Sequence, residues 1–407
     1  MQVQSCIRKK SAKGLRTMTE QTIQKKKKNT RQGGHSSSNR RMVRLKPIEK
    51  TEYFDYQLVL YLVILLAVGL VMLYSASSYT ASLSYGDAAF WVKRQLIFSL
   101  GGFVLMIIMS KVDYHFWLKL AALGYILAFL LNVYVIFAGK SANGQSRWLK
   151  LGPIQLQPSE LAKIAVIIFF ARLFDAMGKN IDKSKKLIIP FCLLLVMLVP
   201  IAATNLSTAV ILAGIWFFMF LVVSKNRKVM LSIVGIGLLG IAGFITFAGY
   251  RSDRIKIWRD PTKYEKGYQT LQGLYAIGSG GVFGKGLGEG MQKRFVPEAR
   301  NDMIFSLICE ELGLFGAVIL IILFLLFLYR LYFIAINASD LTGSLIVTGI
   351  MAQIAIQVVL NIAVVTNSIP NTGITLPFIS YGGSALFILM AEIGVALNVS
   401  RSINFYA

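Results

Sequence analysis

The 407-residue chain is 55% hydrophobic and only 15% charged, whereas soluble globular domains carry roughly 25% charged and about 45–50% apolar residues. This composition excludes a single soluble domain, a disordered chain and a disulfide scaffold, and places the chain among membrane proteins. The formal net charge of +24 is unevenly spread, because residues 1–50 hold fifteen Lys/Arg against two Glu.

Segment 1–50 is rich in Lys, Arg, Ser and Gln, includes the run Lys25-Lys26-Lys27-Lys28 and has no apolar stretch. It cannot bury enough surface to offset the entropy of ordering, so a disordered tail is expected. No apolar core follows the charges before residue 57, so it does not read as a secretory signal. A basic tail beside a first span is held on the cytoplasmic side and drawn to anionic lipid, a better partner there than nucleic acid.

Crossing the hydrocarbon takes about 20 apolar residues. Ten stretches qualify: about 57–76, 93–111, 116–138, 159–175, 187–203, 206–223, 229–250, 303–330, 343–366 and 376–399. With the tail inside, the inner connections carry Lys111, Lys179, Lys183, Lys185, Lys186, Lys225, Arg227, Lys228 and Arg330, and Arg401 follows the last span. The outer connections at 77–92, 204–205 and 367–375 have no Lys or Arg, as expected for an even number of spans with both termini cytoplasmic. The expected organisation is a tail over 1–50, a ten-helix membrane domain over 51–402 and a short cytoplasmic end over 403–407.

Two outer segments depart from this rule. Segment 139–157 carries Lys140, Arg147 and Lys150, and segment 251–301 carries ten Lys/Arg and five acids. Loops that long are uncommon unless they are functional, and cations beside an outer leaflet point to an anionic partner. Within the longer loop, Leu271, Leu274, Tyr275 and Ile277 are expected to form one face of a short interfacial helix.

The glycine-rich stretch from Gly278 to Gly288 fits neither nucleotide fingerprint. No register supplies glycines at relative positions 1, 3 and 6, and Gly286 follows Lys285 where a P-loop needs Ser or Thr. Close-packing backbone is the better reading. His35 and His115 lie in the tail and an inner loop, and Cys6, Cys192 and Cys309 have no paired spacing. No residue cluster therefore calls for a cofactor or metal, although a divalent cation is compatible with the site.

Ionisable groups at the spans are costly and mark functional candidates. Glu160 and Lys163 lie three apart, on one face of the fourth span, behind Gln157-Pro158-Ser159. Ser159 is expected to cap that helix. Asp302 opens the eighth span, as a general base or as an acid favoured by the helix dipole. Glu310 and Glu311 lie roughly 12–14 Å deeper, and Glu392 occupies the last span. Asn361, Asn367, Asn371 and Asn398 read as helix glue or turn formers, and Arg172 as a snorkelling cation. These residues define an outward-facing polar site for an anionic ligand, and do not separate an enzyme from a transporter.

Longer strings go further. Arg147-Trp148-Leu149 with Gln157-Pro158-Ser159-Glu160-Leu161-Ala162-Lys163, then Pro297-Glu298-Ala299-Arg300-Asn301-Asp302, then Pro370-Asn371-Thr372-Gly373 running on to Ser384, resemble the SEDS family (shape, elongation, division and sporulation). The likeness spans about residues 57–402 and is greater to the division and sporulation members than to the elongation members. It implies an all-α polytopic membrane protein, a bundle of ten transmembrane helices with a large extracellular loop before the eighth. It also implies a peptidoglycan glycosyltransferase that polymerises lipid II, a disaccharide-pentapeptide on undecaprenyl pyrophosphate, at the outer face of the bacterial plasma membrane.

By the same resemblance Asp302 is the essential acid, and Glu160 and Lys163 match a conserved pair. Lys163, with Arg147 and Arg259, would neutralise the leaving diphosphate, and Gln157 and Ser384 would support the substrate. The implied partners are a class B penicillin-binding protein and other division-machinery membrane proteins. A lipid II flippase and a non-catalytic division scaffold are the alternatives. Asn205, Arg300-Asn301 and Cys309 stand where the family more often has an acid, His-Thr and Gly.

Overall fold

Helix starts follow local chemistry. Asp55, Asp113, Asn205 and Asp340 each precede an apolar run and accept an amide hydrogen from its first turn, from Leu58, His115, Thr208 and Gly343 respectively. These bonds satisfy donors that a helix start leaves open.

The computed structural model describes residues 53–403, apart from 139, 143–144, 152–153, 179–180, 182–183, 225, 227–229, 234, 236 and 238–248. The tail over 1–50 and most of the seventh expected span, 229–250, therefore lie outside the described residues. The first helices are α1 (Tyr56–Tyr85), α2 (Phe90–Lys111), α3 (Tyr114–Lys119) and α4 (Ala121–Ala138). Strands β1 (Lys140–Ala142), β2 (Gln145–Leu151) and β3 (Ile154–Leu156) follow, then α5 (Pro158–Met177), α6 (Ser184–Thr204) and α7 (Leu206–Val223). Next come α8 (Gly249–Arg259), α9 (Tyr268–Gly280), α10 (Ile304–Asn337), α11 (Leu341–Val365) and α12 (Gly383–Arg401).

Seven of these helices are long and apolar enough to cross a membrane, by length and composition. The chain is thus an all-α polytopic membrane protein. Lipid-facing side chains such as Leu96, Ile97, Val104, Ile126 and Leu325 are exposed, because hydrocarbon is as good a solvent for them as a protein core.

Several expected boundaries shift. The third span is split, since Leu120 separates α3 from α4. Segment 139–157, read as a loop, holds an antiparallel sheet of order β1-β2-β3. The last span begins at 383, not 376: Leu376-Pro377-Phe378-Ile379 is apolar, but Phe378 has φ +65° and the segment is irregular. Ser159 does not cap α5; Pro158 opens the helix, and Ser159 accepts a hydrogen bond from Gln157 Nε2 (3.0 Å).

Helix α10 is two helices joined at Gly313, whose φ of 69° and ψ of −169° break the spiral. The segment after the break, 314–337, is about 36 Å long, enough to cross the hydrocarbon alone. The segment before it, 304–312, is almost entirely buried. At the opposite end of α10, Arg330 makes a forked contact with Asp55, with Nη2 2.6 Å from Oδ2 and Nε 3.2 Å from both carboxylate oxygens. Arg172, read as a snorkelling cation, is exposed, and its guanidinium donates to Leu118 O (2.7 Å) near the end of α3.

Candidate active site

Asp302 lies where the turn before α10, helix α9 and the irregular segment 366–382 meet. Asn361 Nδ2, fully buried on α11, donates to Asp302 O (2.8 Å) and Ile374 O (2.7 Å). Ser380 Oγ donates to Asn301 O (2.6 Å) and accepts from Leu376 N (2.8 Å). Tyr381 N donates to Arg300 O (2.9 Å). Three consecutive main-chain carbonyls are therefore pinned, which fixes the turn while leaving its side chains available.

Asp302 is buried, with 8% of the residue exposed. Gln269 Nε2 of α9 approaches its two oxygens at 3.2 and 3.3 Å. Gly373 (φ +68°) passes close enough that a Cβ there would sit 3.8 Å from Oδ2. Burial, with the charge of Glu298 in second place, pushes the Asp302 carboxyl up to about 7. The Gln269 side chain and the Asp302 and Met303 amides only partly offset that rise, and a carboxylate half-ionised near neutrality can accept a hydroxyl proton.

Glu160 and Lys163 pair as their spacing indicated, with Nζ 2.8 Å from Oε2. The Lys163 side chain is completely buried and that of Glu160 is 10% exposed. Near them on α12 lies Glu392, also fully buried, which accepts from Gln353 Nε2 (2.9 Å) and feels the charges of both. This is a closed polar knot inside the bundle. The acid that perturbs Asp302 is Glu298, and Lys163 is not among its influences. Gln157 stands at the start of α5, Ser384 is half-buried in the first turn of α12, and Arg259 is exposed at the end of α8. The Arg147 side chain lies outside the described residues.

The glycine-rich stretch packs closely, as expected, and its partners are Glu310 and Glu311. Glu310 Oε1 accepts from Lys285 Nζ (3.1 Å), Met291 N (3.0 Å) and Gln292 N (3.2 Å). Glu311 accepts from Ser75 Oγ (2.5 Å) and Gly288 N (3.1 Å), with Lys293 Nζ at 3.7 Å. Side chains at Gly280 and Gly284 would collide with the carbonyls of Cys309 and Glu311, so glycine is required at both for steric reasons. Helix α9 exists, but its buried face is Thr270, Gly273, Ala276 and Gly280. The face expected at the interface is the less buried one, with Tyr275 exposed and Leu271, Leu274 and Ile277 half-buried, while small residues allow α9 to lie against α10.

Sequence reasoning named Asn361 only as glue, which it is. It passed over Gln269, Glu298, Arg300 and Ser380 as site residues. Among the described residues, no three His, Cys, Asp or Glu side chains group as a metal site.

A helical membrane bundle with a rigidly held, perturbed acid at the mouth of a broken helix is the class of protein that fold and site define. Within that class, this chain belongs to the FtsW, RodA and SpoVE family of cell cycle proteins, whose model matches residues 56–404. The stage V sporulation protein E of Bacillus subtilis is 39% identical over 85% of this chain and 97% of its own length. A probable peptidoglycan glycosyltransferase FtsW of a Geobacter species is 38% identical over 87% and 98%. A solved chain from a peptidoglycan synthase complex that coordinates polymerization and crosslinking superposes with TM-score 0.74, at 27% identity, over 86% of this chain and 98% of its own.

Proposed function

We propose that the protein is a peptidoglycan glycosyltransferase that polymerises lipid II, with Asp302 as its general base. The carrying observation is the Asp302 carboxyl itself, buried, raised to about 7 and approached by the Gln269 side chain. Asp302 takes the proton from the 4-hydroxyl of the acceptor's N-acetylglucosamine. That oxygen bonds to the anomeric carbon of the donor N-acetylmuramic acid as the bond to undecaprenyl pyrophosphate breaks. One displacement inverts an α-linked donor into a β-linked product, with no glycosyl-enzyme intermediate.

Lys163 has no open approach, so its role is to hold Glu160 and the α5–α12 contact, while cations nearer the mouth meet the leaving group. The site faces outward from a bacterial plasma membrane with both termini cytoplasmic. Resemblance to a synthase complex supports a class B penicillin-binding protein as the partner that crosslinks the strands.

The test is polymerisation of purified lipid II in liposomes, with and without the cognate partner, by wild type and Asp302→Asn. A base of this kind contributes roughly 10²–10⁴-fold, so long strands are expected from wild type and none from an equally folded variant. Equal polymerisation by both would remove the base. Transport of lipid II without product from either would make the protein a flippase.

A further inference from the structure

Two residues before Asp302, Arg300 shares one aromatic ring with a second arginine. The Arg300 guanidinium lies 4.0 Å from the Trp91 ring centroid and that of Arg94 5.9 Å from it. Tyr381 meets Trp91 edge-on at 4.9 Å, and its amide holds the Arg300 carbonyl. Burial pushes the Tyr381 phenol up while the charges of Arg94 and Arg300 pull it down, so both cations lie in its field.

Neither guanidinium is paired with an acid among the described residues; the neighbouring Asp87 goes to Lys93 at 2.8 Å. Arg300 also has a buried Nε–H with no acceptor. Arg94 is exposed, and Trp91, Arg300 and Tyr381 are half-buried, so the cluster is open to a ligand. Two like charges gathered without a counter-ion are costly in a protein and well suited to a dianion. Stacking on an indole occupies the face of a guanidinium and leaves its edge N–H groups free to grip phosphate oxygens.

We infer that Arg94 and Arg300, held on Trp91 beside Asp302, bind the diphosphate of the donor lipid. The inference rests on the glycosyl transfer proposed above and names where its leaving group sits. Two residues of chain span at most about 7 Å, so the base and this anion site are neighbours on the backbone. An in-line displacement needs both, a proton acceptor on one side of the anomeric carbon and a site for the departing diphosphate on the other.

The experiment uses the full chain in detergent carrying Asp302→Asn, so that binding is read without turnover, with undecaprenyl pyrophosphate as the probe. Adding Arg94→Gln and Arg300→Gln is expected to weaken binding at least tenfold, and Arg300→Lys alone to weaken it less, because the charge remains but the fork is lost. Binding to the parent is expected to weaken with added salt, and undecaprenol to bind all variants alike. Affinity unchanged within twofold in the double-Gln variant would overturn the site. Equal loss for undecaprenol would also overturn it, by showing that the arginines serve only packing. If wild type itself, assayed beside Asp302→Asn, makes no polymer, the transferase reading itself fails. If that variant is inactive and the arginines are indifferent, only the anion site does.

Discussion

Asp302 and the Glu310–Glu311 pair are carboxylates eight and nine residues apart at the head of α10, and their surroundings make them opposites. Glu310 and Glu311 are saturated: two ammonium groups, a hydroxyl and several loop amides converge on them. Asp302 has one side-chain amide and a like-charged neighbour in Glu298. The same chemical group is thus a clasp for a glycine-rich loop in one place and a proton acceptor in the other. The number of donors aimed at it decides which.

That contrast can be broken from the clasp side first. Removing the Glu310 carboxylate with Glu310→Leu leaves Lys285 and two loop amides without their acceptor. A loss of roughly 3–5 kcal/mol is expected, read as a fall in melting temperature in detergent with activity lost only as folding is lost. Gly284→Ala asks φ +78° of an alanine whose Cβ meets the Glu311 carbonyl. It should cost about 1–3 kcal/mol, measured by the same melt, and less than the loss of Glu310.

Changes at the acid should act on the pH profile and spare stability. Gln269→Leu removes a donor that favours the charged form. The Asp302 carboxyl then rises further, the midpoint of rate against pH moves up, and the rate at pH 7 falls less than tenfold. Glu298→Gln removes a repulsion, so the midpoint moves down and the rate at pH 6 rises modestly. It is the smallest of the four effects. Either variant shifting the midpoint the other way would contradict the assignment of its neighbour's influence.

Much of the candidate site was legible because local rules express it. Glu160 and Lys163 fall on one helical face by spacing alone, and an acid opening a span stands out against apolar neighbours at Asp302. Glycines at 280 and 284 signalled a close approach, although nothing in their order revealed Glu310 and Glu311 as what they approach. Arg300 and Trp91 meet through tertiary folding, with no spacing to announce them. Hydropathy placed 376–382 in a span because Leu376, Phe378 and Ile379 are apolar. Their actual burial lies beneath the site, in backbone that a periodicity rule does not recognise. The Arg172 contact was hidden for a similar reason, since a carbonyl at the end of another helix is invisible to a charge count.

The most direct measurement is the initial rate of lipid II polymerisation by wild type in liposomes, in the presence of its partner, from pH 5 to pH 9. A base held up to about 7 is protonated and idle below that value, so the rate should rise with pH through a midpoint near 7. That midpoint should move to lower pH in Glu298→Gln. A rate that is flat across the range, as for a base with the ordinary carboxylate value of about 4, or a midpoint that ignores Glu298, would contradict Asp302 as the base.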